Sequence, residues 1–143
     1  MNTNELEVLL VEDSPEDAAL TLRALKKNNL INRIHVAIDG AEALDYIFGA
    51  DNSPCLCVPR VIFLDLHLPK INGIEVLRKL KSDERTRSIP IVVLTSSRED
   101  QDISECYSLG VNSYIVKPVQ FENFTRSVAE LGLYWMLLNK PPA

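Results

Sequence analysis

The sequence lacks the features that would assign it to a membrane-bound, secreted or nucleic-acid-binding class. Its 15 basic and 20 acidic residues give a net charge of −5, which argues against a basic surface for nucleic acid. No apolar run approaches the roughly 20 residues needed to cross a bilayer. The first residues, Met-Asn-Thr-Asn-Glu, lack the basic and apolar regions of a secretory signal. We therefore expect a cytoplasmic protein with neither membrane nor nucleic-acid partners.

Cysteine is scarce, and its spacing does not indicate a disulfide framework. The chain has 3 cysteines, an odd number. Cys55 and Cys57 could donate two thiolates to zinc, but no second pair of ligands accompanies them. Cys106 lies in a helical pattern and is predicted to be a small core residue.

Internal repeats and low-complexity segments are also absent. At 143 residues the chain fits one domain, and its hydrophobic fraction of 46% allows a sizeable core. We expect a single domain over residues 1–143, with its core at about 6–128 and a last helix reaching about residue 138. No residues follow Ala143 to form a DNA-binding module, so we expect output through protein contacts or onward phosphotransfer.

Five short apolar segments alternate with helical patterns. The apolar segments are rich in valine and isoleucine, and three are nearly continuous, as in parallel strands buried on both faces. They are Val8–Val11, Ile34–Ile38, Val61–Leu64, Ile91–Leu94 and Tyr114–Val116. Helices are predicted from Ser14-Pro15, over Ala41–Phe48, Gly73–Ser82 and Asp100–Ser108, and from about Phe121 to Leu138. This alternation predicts an α/β fold, a doubly wound parallel sheet of five strands with five helices.

Residues with reactive side chains follow four of the five predicted strands. They are Glu12-Asp13, Asp65, Thr95 and Lys117. Parallel strands end at one edge of a sheet, where such folds bind ligands. Three clustered carboxylates need a cation, and Mg²⁺ prefers oxygen ligands. Asp65 is then a candidate nucleophile toward phosphorus, with Thr95 and Lys117 contacting phosphoryl oxygens.

Each of these residues also has an ordinary structural interpretation. Asp65 could end a strand in a turn, and Asp13 or Ser14 could cap a helix. Thr95, followed by Ser96-Ser97, could begin a helix, and Lys117 could be a solvated charge. The combination favours a phosphoryl site, because these interpretations would have to coincide at four strand ends.

Four segments together resemble the receiver domain of two-component response regulators, over roughly Leu6 to Val128. They are Val-Glu-Asp-Ser-Pro (Val11–Pro15), Phe-Leu-Asp-Leu-His-Leu-Pro-Lys-Ile-Asn-Gly (Phe63–Gly73), Leu-Thr-Ser (Leu94–Ser96) and Tyr-Ile-Val-Lys-Pro-Val (Tyr114–Val119). The resemblance implies a flavodoxin-like sheet with strand order 2-1-3-4-5. It also implies an aspartate that receives a phosphoryl group from a histidine kinase, with Mg²⁺ or Mn²⁺ bound.

The resemblance assigns a role to each residue of the acidic site. Asp65 corresponds to the phosphoacceptor, and Asp13 and Asp65 to direct metal ligands. Glu12 corresponds to the acid that reaches the metal through water. His67 would supply its backbone carbonyl to the metal, while its side chain faces the phosphoryl group and tunes dephosphorylation.

Two further features of the family have counterparts in this chain. Thr95 and Tyr114 match the switch pair, in which the threonine hydroxyl moves toward the phosphoryl group and the tyrosine ring turns inward. The face of the fourth helix, fifth strand and fifth helix then changes. The Lys117–Pro118 bond matches the family's cis peptide, which directs the lysine at the site.

The last predicted helix is apolar almost all round at its end, so it needs cover on more than one side. The candidate residues for a dimer contact are Leu133, Tyr134, Trp135 and Leu137. We expect a homodimer; the alternative is that these residues pack on their own domain. The segment Leu131–Pro142 resembles the ends of stand-alone receivers that pair with bacterial phytochrome kinases.

Three rival functions have weaker support. A haloacid-dehalogenase-like Mg²⁺ phosphatase would need a second aspartate where His67 stands, as well as a cap domain. A receiver-like module that binds partners without phosphorylation would usually have lost the acids or the lysine. A flavodoxin-like electron carrier would need a phosphate-cradling loop after Val11. We therefore expect a stoichiometric phosphoacceptor that loses its phosphoryl group by hydrolysis, rather than an enzyme.

Overall fold

A computed structural model of the chain describes residues 7–27, 33–49, 59–96, 99–111 and 113–116. Strands and helices alternate strictly within these residues, as the sequence predicts. The strands are β1 (Glu7–Val11), β2 (Arg33–Ala37), β3 (Val61–Leu64), β4 (Ile91–Thr95) and β5 (Ser113–Val116). The helices are α1 (Pro15–Lys27), α2 (Gly40–Phe48), α3 (Gly73–Ser82) and α4 (Asp100–Ser108).

The five strands form one parallel sheet with the order β2-β1-β3-β4-β5, which confirms the predicted topology. β1 lies inside the sheet, where it pairs with β2 on one side and with β3 on the other. The chain reverses its direction of winding at β1, so the carboxyl ends of β1 and β3 flank the switch point at which such folds bind ligands.

Alternate residues of each strand enter two separate cores, one on each face of the sheet. Leu9, Ile62 and Val93 pack on the face covered by α2, α3 and α4. Leu10 and Phe63 pack on the opposite face, with Ala18 of α1. Both faces of β3 and β4 are fully covered, which explains why their sequences are continuous apolar runs.

The end of β2 differs from the prediction. The strand was expected to include Ile38, but it ends at Ala37 and Ile38 is 57% exposed. The amide of Ile38 donates to the Glu42 carboxylate at 2.8 Å rather than to a neighbouring strand. Asp39 in turn caps α2 by accepting from the Glu42 amide at 2.7 Å. This reciprocal pair of bonds ends the strand early and starts the helix.

Gly73 begins α3 at a position where the backbone of the preceding loop lies unusually close. A Cβ atom at this position would lie 2.3 Å from the carbonyl oxygen of Asp65. The Gly73 amide also donates to the carbonyl of Leu66 at 2.8 Å. The side chain of Asn72 caps the helix by accepting from the Glu75 amide at 3.1 Å. The absence of a side chain at Gly73 therefore lets α3 start directly beside Asp65.

Some of the predictions concern residues outside the described segments. They are the last helix with its dimer candidates Leu133, Tyr134, Trp135 and Leu137, the Lys117–Pro118 bond, and the Cys55–Cys57 pair. The four helices of the described segments correspond to the first four of the five predicted. In the described part of the chain, no helix has the length and apolar character needed to span a bilayer.

We predict that Gly73→Ala destabilises the protein by about 1–3 kcal/mol, because backbone atoms must move to admit the methyl group. Urea unfolding followed by circular dichroism measures this change. Glu84→Ala, at an exposed position, is the control and should stay within about 0.5 kcal/mol of the parent. A Gly73→Ala protein as stable as that control would show that the loop accommodates a side chain freely.

Candidate metal and phosphoryl-transfer site

The register of the sheet brings the acidic residues together. The amide of Glu12 donates to the carbonyl of Ala37 at 2.9 Å, and the amide of Asp65 donates to the carbonyl of Val11 at 3.0 Å. Glu12 and Asp65 therefore continue the hydrogen-bonded ladder by one residue beyond the ends of their strands. This fixes both backbones at the same edge of the sheet.

The three predicted acids form one cluster. Glu12, Asp13 and Asp65 each offer a carboxylate oxygen, and these oxygens all lie within 4.8 Å of one another. Glu12 is 2% exposed and Asp65 is 6% exposed, whereas Asp13 is exposed. Three anions at this separation repel one another, and burial of two of them weakens the screening by water. A cation among them would relieve the repulsion.

The start of α1 shows that Ser14 is the capping residue. Its hydroxyl accepts from the amide of Asp17 at 3.2 Å, and its own amide donates to the carboxylate of Glu12 at 3.3 Å. The helix is therefore capped without the carboxylate of Asp13. The interpretation of Asp13 as an N-cap is wrong, and that of Ser14 is correct.

Asp65 combines a local structural role with its place in the cluster. Its Oδ1 atom accepts from the amide of His67 at 3.1 Å, which is the strand-ending turn considered from the sequence. The second oxygen is not needed for that turn. The turn holds the first residues of the loop between β3 and α3 against the carboxylate, so the two interpretations of Asp65 are compatible.

His67 is exposed and is one of the residues that line a cavity of about 330 Å³. The cavity is lined by Leu66, His67, Leu68, Asn72, Ile74 and Asp102. It lies between the β3–α3 loop and α4.

Thr95 and Tyr114 lie on neighbouring strands and on the same face of the sheet. Thr95 is the last residue of β4 and is completely buried, so its interpretation as the start of a helix is wrong. Val93 pairs with Tyr114 across the β4–β5 ladder, and both pack in the core beneath α4. Thr95, two residues beyond Val93, shares that face. Tyr114 is half-buried.

An ion pair between Asp39 and Lys70, which the sequence did not predict, lies beside this site. The Lys70 ammonium lies 3.5 Å from the Asp39 carboxylate. The amide of Glu42 and, to a lesser extent, the charge of Lys70 hold the pKa of Asp39 below its ordinary value, although burial of the carboxylate opposes them. The sequence Asp39-Gly40 with Glu42 three residues after Asp39 is a capping pattern that could have indicated the role of Asp39 in α2.

The donor set suits a hard divalent cation. All three groups are carboxylate oxygens, which Mg²⁺ and Mn²⁺ accept readily. Mg²⁺ takes one or two carboxylates from a protein and keeps several waters. The exposure of Asp13 leaves a solvent side to the cluster where such waters fit. The residues present therefore fit the ion that the family implies.

Comparison with known proteins is consistent with this geometry. Residues 8–129 match the family described as the response regulator receiver domain. The chain belongs to this family.

Three named proteins illustrate what this chain is similar to. The probable methanogenesis regulatory protein FilR2 of Methanothrix harundinacea is 44% identical over 94% of this chain and 86% of its own length. The Mn²⁺-bound form of response regulator Rcp1 is 32% identical, with a TM-score of 0.84, over 97% of this chain and all of that one. The phosphorylated cyanobacterial phytochrome response regulator RcpA is 33% identical, with a TM-score of 0.84, over 97% and 99%.

Cys106 of this receiver domain is a core residue, as predicted. Its thiol is completely buried in α4, and burial together with the nearby charge of Asp102 raises the pKa of the thiol to about 11. A thiol with so high a pKa is protonated at neutral pH and is a poor nucleophile. Cys106 therefore contributes packing and takes no part in the acidic site.

We predict that Asp13→Asn weakens Mg²⁺ binding at least about tenfold, since loss even of outer-shell partners costs about 10–100-fold in metal affinity. Isothermal titration calorimetry with MgCl₂ measures the change. Asp45→Asn, an exposed acid on α2, alters the net charge equally and should leave the affinity unchanged. Equal losses in both variants would mean that diffuse charge, rather than the cluster, attracts the ion.

Proposed function

We propose that the protein is the phosphoacceptor of a two-component phosphorelay and that Asp65 receives the phosphoryl group. The observation that carries this proposal is the acidic cluster, in which the carboxylate of Asp65 stands within 4.8 Å of those of Glu12 and Asp13. The family to which the chain belongs and the phosphorylated state of RcpA support the same function.

The proposed reaction is an in-line transfer between a histidine and an aspartate. A carboxylate oxygen of Asp65 attacks the phosphorus of a phosphohistidine, the P–N bond breaks, and an acyl phosphate forms on Asp65. The released imidazole takes up a proton. The hydrogen bond from the His67 amide to Oδ1 of Asp65, at 3.1 Å, orients the carboxylate at the start of the β3–α3 loop.

A divalent ion held by Asp13, Asp65 and the backbone carbonyl of His67 would neutralise charge on the phosphoryl oxygens. Glu12 would act through a bound water. We take Mg²⁺ as the resident ion because it retains waters and needs few carboxylates, with Mn²⁺ as its substitute, as in the Mn²⁺-bound form of Rcp1. Lys117 would pair with a phosphoryl oxygen and Thr95 would donate to another.

Return to the resting state would occur by hydrolysis. Water attacks phosphorus, the P–O bond to Asp65 breaks, inorganic phosphate leaves, and the carboxylate of Asp65 is restored. The exposed His67, which lines its cavity, would control the approach of that water. The protein is then a stoichiometric phosphoacceptor rather than an enzyme with turnover.

Signal output would use Thr95 and Tyr114. The buried Thr95 hydroxyl moves toward the phosphoryl group, and the half-buried Tyr114 ring occupies the space behind it. Both residues lie on the face packed beneath α4. Within the described residues, α4 has one buried residue, Cys106, compared with four in α3. A lightly anchored helix is suited to move when its neighbours change.

The proposed partner is a cytoplasmic histidine kinase of phytochrome type. The similarity to the phytochrome response regulator RcpA supports this assignment. The net charge of −5 is unfavourable for a nucleic-acid partner. The apolar end of the last predicted helix, including Trp135, supports homodimer formation.

The phosphoacceptor is tested with acetyl phosphate and Mg²⁺, followed by intact-mass spectrometry. We predict a gain of one phosphoryl group that is absent in Asp65→Asn. Asp45→Asn, an exposed acid on α2 outside the acidic cluster, is the control and should still be labelled. Labelling that persists in Asp65→Asn would contradict the assignment. Sustained release of nitrophenol from p-nitrophenyl phosphate would instead indicate a phosphatase.

The dimer is tested by size-exclusion chromatography with light scattering. We predict a dimer at tens of micromolar, and a monomer for Trp135→Asp, because a carboxylate would be buried in an apolar contact. Tyr107→Asp, which alters an exposed aromatic residue on α4, is the control and should remain dimeric. A monomeric parent protein would contradict the proposal.

A further inference from the structure

The loop between β3 and α3, residues 66–72, starts directly after the proposed phosphoacceptor and contains the proposed carbonyl ligand. Its first half is held by the core, because Leu66 is 4% exposed and Leu68 is 8% exposed. Its two ends are joined by the hydrogen bond from the Gly73 amide to the Leu66 carbonyl. Its second half, by contrast, lies on the surface: Lys70 is exposed and Ile71 is half-buried.

Lys70 has a backbone conformation that lysine rarely adopts. Its φ angle is 67°, and it is the one residue other than glycine with a positive φ in the described segments. This conformation costs about 1–2 kcal/mol for a residue with a Cβ, so neighbouring contacts must maintain it. The contact seen at Lys70 is its ion pair with Asp39, at 3.5 Å.

Asp39 is a rigid partner for that lysine. It is 6% exposed, and its carboxylate also accepts from the amide of Glu42 at 2.7 Å at the start of α2. The strand before it is fixed to the acidic site, since the Ala37 carbonyl accepts from the Glu12 amide. Asp39 is therefore held by both the sheet and the helix, whereas Lys70 belongs to the loop.

A second contact joins the same two segments. A Cβ atom on Gly40 would lie 2.0 Å from the carbonyl oxygen of Ile71, so the start of α2 and the loop touch backbone to backbone. The ion pair and this backbone contact involve consecutive residues on both sides. Together they form a brace, which we define as Asp39 and Gly40 at the start of α2 with Lys70 and Ile71 of the loop.

We propose that this brace holds the β3–α3 loop in the position that the acidic cluster needs to bind its divalent ion. Asp39 and Lys70 are thus positioning residues for metal binding, although neither belongs to the cluster. This inference rests on the proposed function, because the loop carries the His67 carbonyl and begins at Asp65. Metal sites tolerate only small displacements of their ligands, so loosening the loop would weaken them.

The ion pair itself adds little to global stability, because the Lys70 side chain is 69% exposed. The direction in which Mg²⁺ affinity changes when Lys70 is replaced distinguishes the brace from a simple electrostatic effect. If Lys70 acted only through its charge, its removal would strengthen Mg²⁺ binding. If Lys70 acts through the brace, its removal weakens Mg²⁺ binding.

The experiment measures the Mg²⁺ affinity of Lys70→Met, Asp39→Asn and the double variant by isothermal titration calorimetry. Asparagine caps helices as well as aspartate does, so Asp39→Asn removes the charge and keeps α2 intact. We expect each single change to weaken binding about threefold to tenfold. The double variant should bind Mg²⁺ no more weakly than the weaker-binding of the two single variants, since both changes remove the same ion pair. Lys70→Arg, which keeps the positive charge, should bind Mg²⁺ with the affinity of the parent protein.

The control is a separate ion pair, between two residues that follow the end of α3. Arg85 lies 2.8 Å from Asp83, and Arg85→Met removes one positive charge as Lys70→Met does. This variant should leave Mg²⁺ affinity unchanged. Tighter or unchanged binding in Lys70→Met would overturn the proposal, and so would independent, additive losses in the double variant.

Hydrogen–deuterium exchange of the metal-free protein gives a readout that does not depend on the ion. In Lys70→Met and Asp39→Asn, the amides of His67 and Gly73, which bond to Asp65 and Leu66, should exchange faster than in the parent. Unchanged exchange would also overturn the brace. A parent protein that binds no Mg²⁺ would instead refute the metal site, while the exchange experiment would still decide whether the brace exists.

Discussion

The mutual repulsion of three carboxylates, held together by the register of a parallel sheet, is the constraint on which the site depends. The backbone amides of Glu12 and Asp65 are hydrogen-bonded to the ends of neighbouring strands, so the two backbones cannot separate without breaking the sheet. The two cores on either face of the sheet fix those strands in turn. The free energy gained by burying apolar side chains therefore offsets the repulsion between the carboxylates. Such a cluster of carboxylates binds a divalent cation favourably.

The same constraint links metal binding to the surrounding loops. Asp65 uses one oxygen for the turn that begins the β3–α3 loop, and Gly73 lets α3 start against its carbonyl. Any change in this loop therefore acts on the cluster through short backbone contacts. The proposed switch works in the opposite direction, because a phosphoryl group on Asp65 would act on Thr95 and then on the lightly anchored α4.

Much of the fold followed from the sequence because its signals are local. Continuous apolar runs such as Val61–Leu64 identify strands covered on both faces, and Ser14-Pro15 marks the start of α1. The acids of the site could also be predicted, since Glu12, Asp13 and Asp65 directly follow strands. Their convergence then required only that the strands be parallel and that β1 and β3 be neighbours.

Two features of the described structure were not predicted. Ile38 continues an apolar segment, yet β2 ends before it because Glu42, only four residues later, accepts a hydrogen bond from its amide. The pairing of Lys70 with Asp39 joins two loops that are far apart in the chain, and the positive φ of Lys70 has no signal in a sequence without a glycine at that position. The Lys70–Asp39 contact is decided by tertiary packing, which local residue patterns do not encode.

The most direct test of the metal site is the location of the ion itself. Crystals grown with Mn²⁺ and measured at the manganese absorption edge would show an anomalous difference peak at the bound metal. We predict one peak about 2.0–2.3 Å from carboxylate oxygens of Asp13 and Asp65 and from the backbone carbonyl of His67. A peak elsewhere, with this cluster empty at saturating Mn²⁺, would contradict the account.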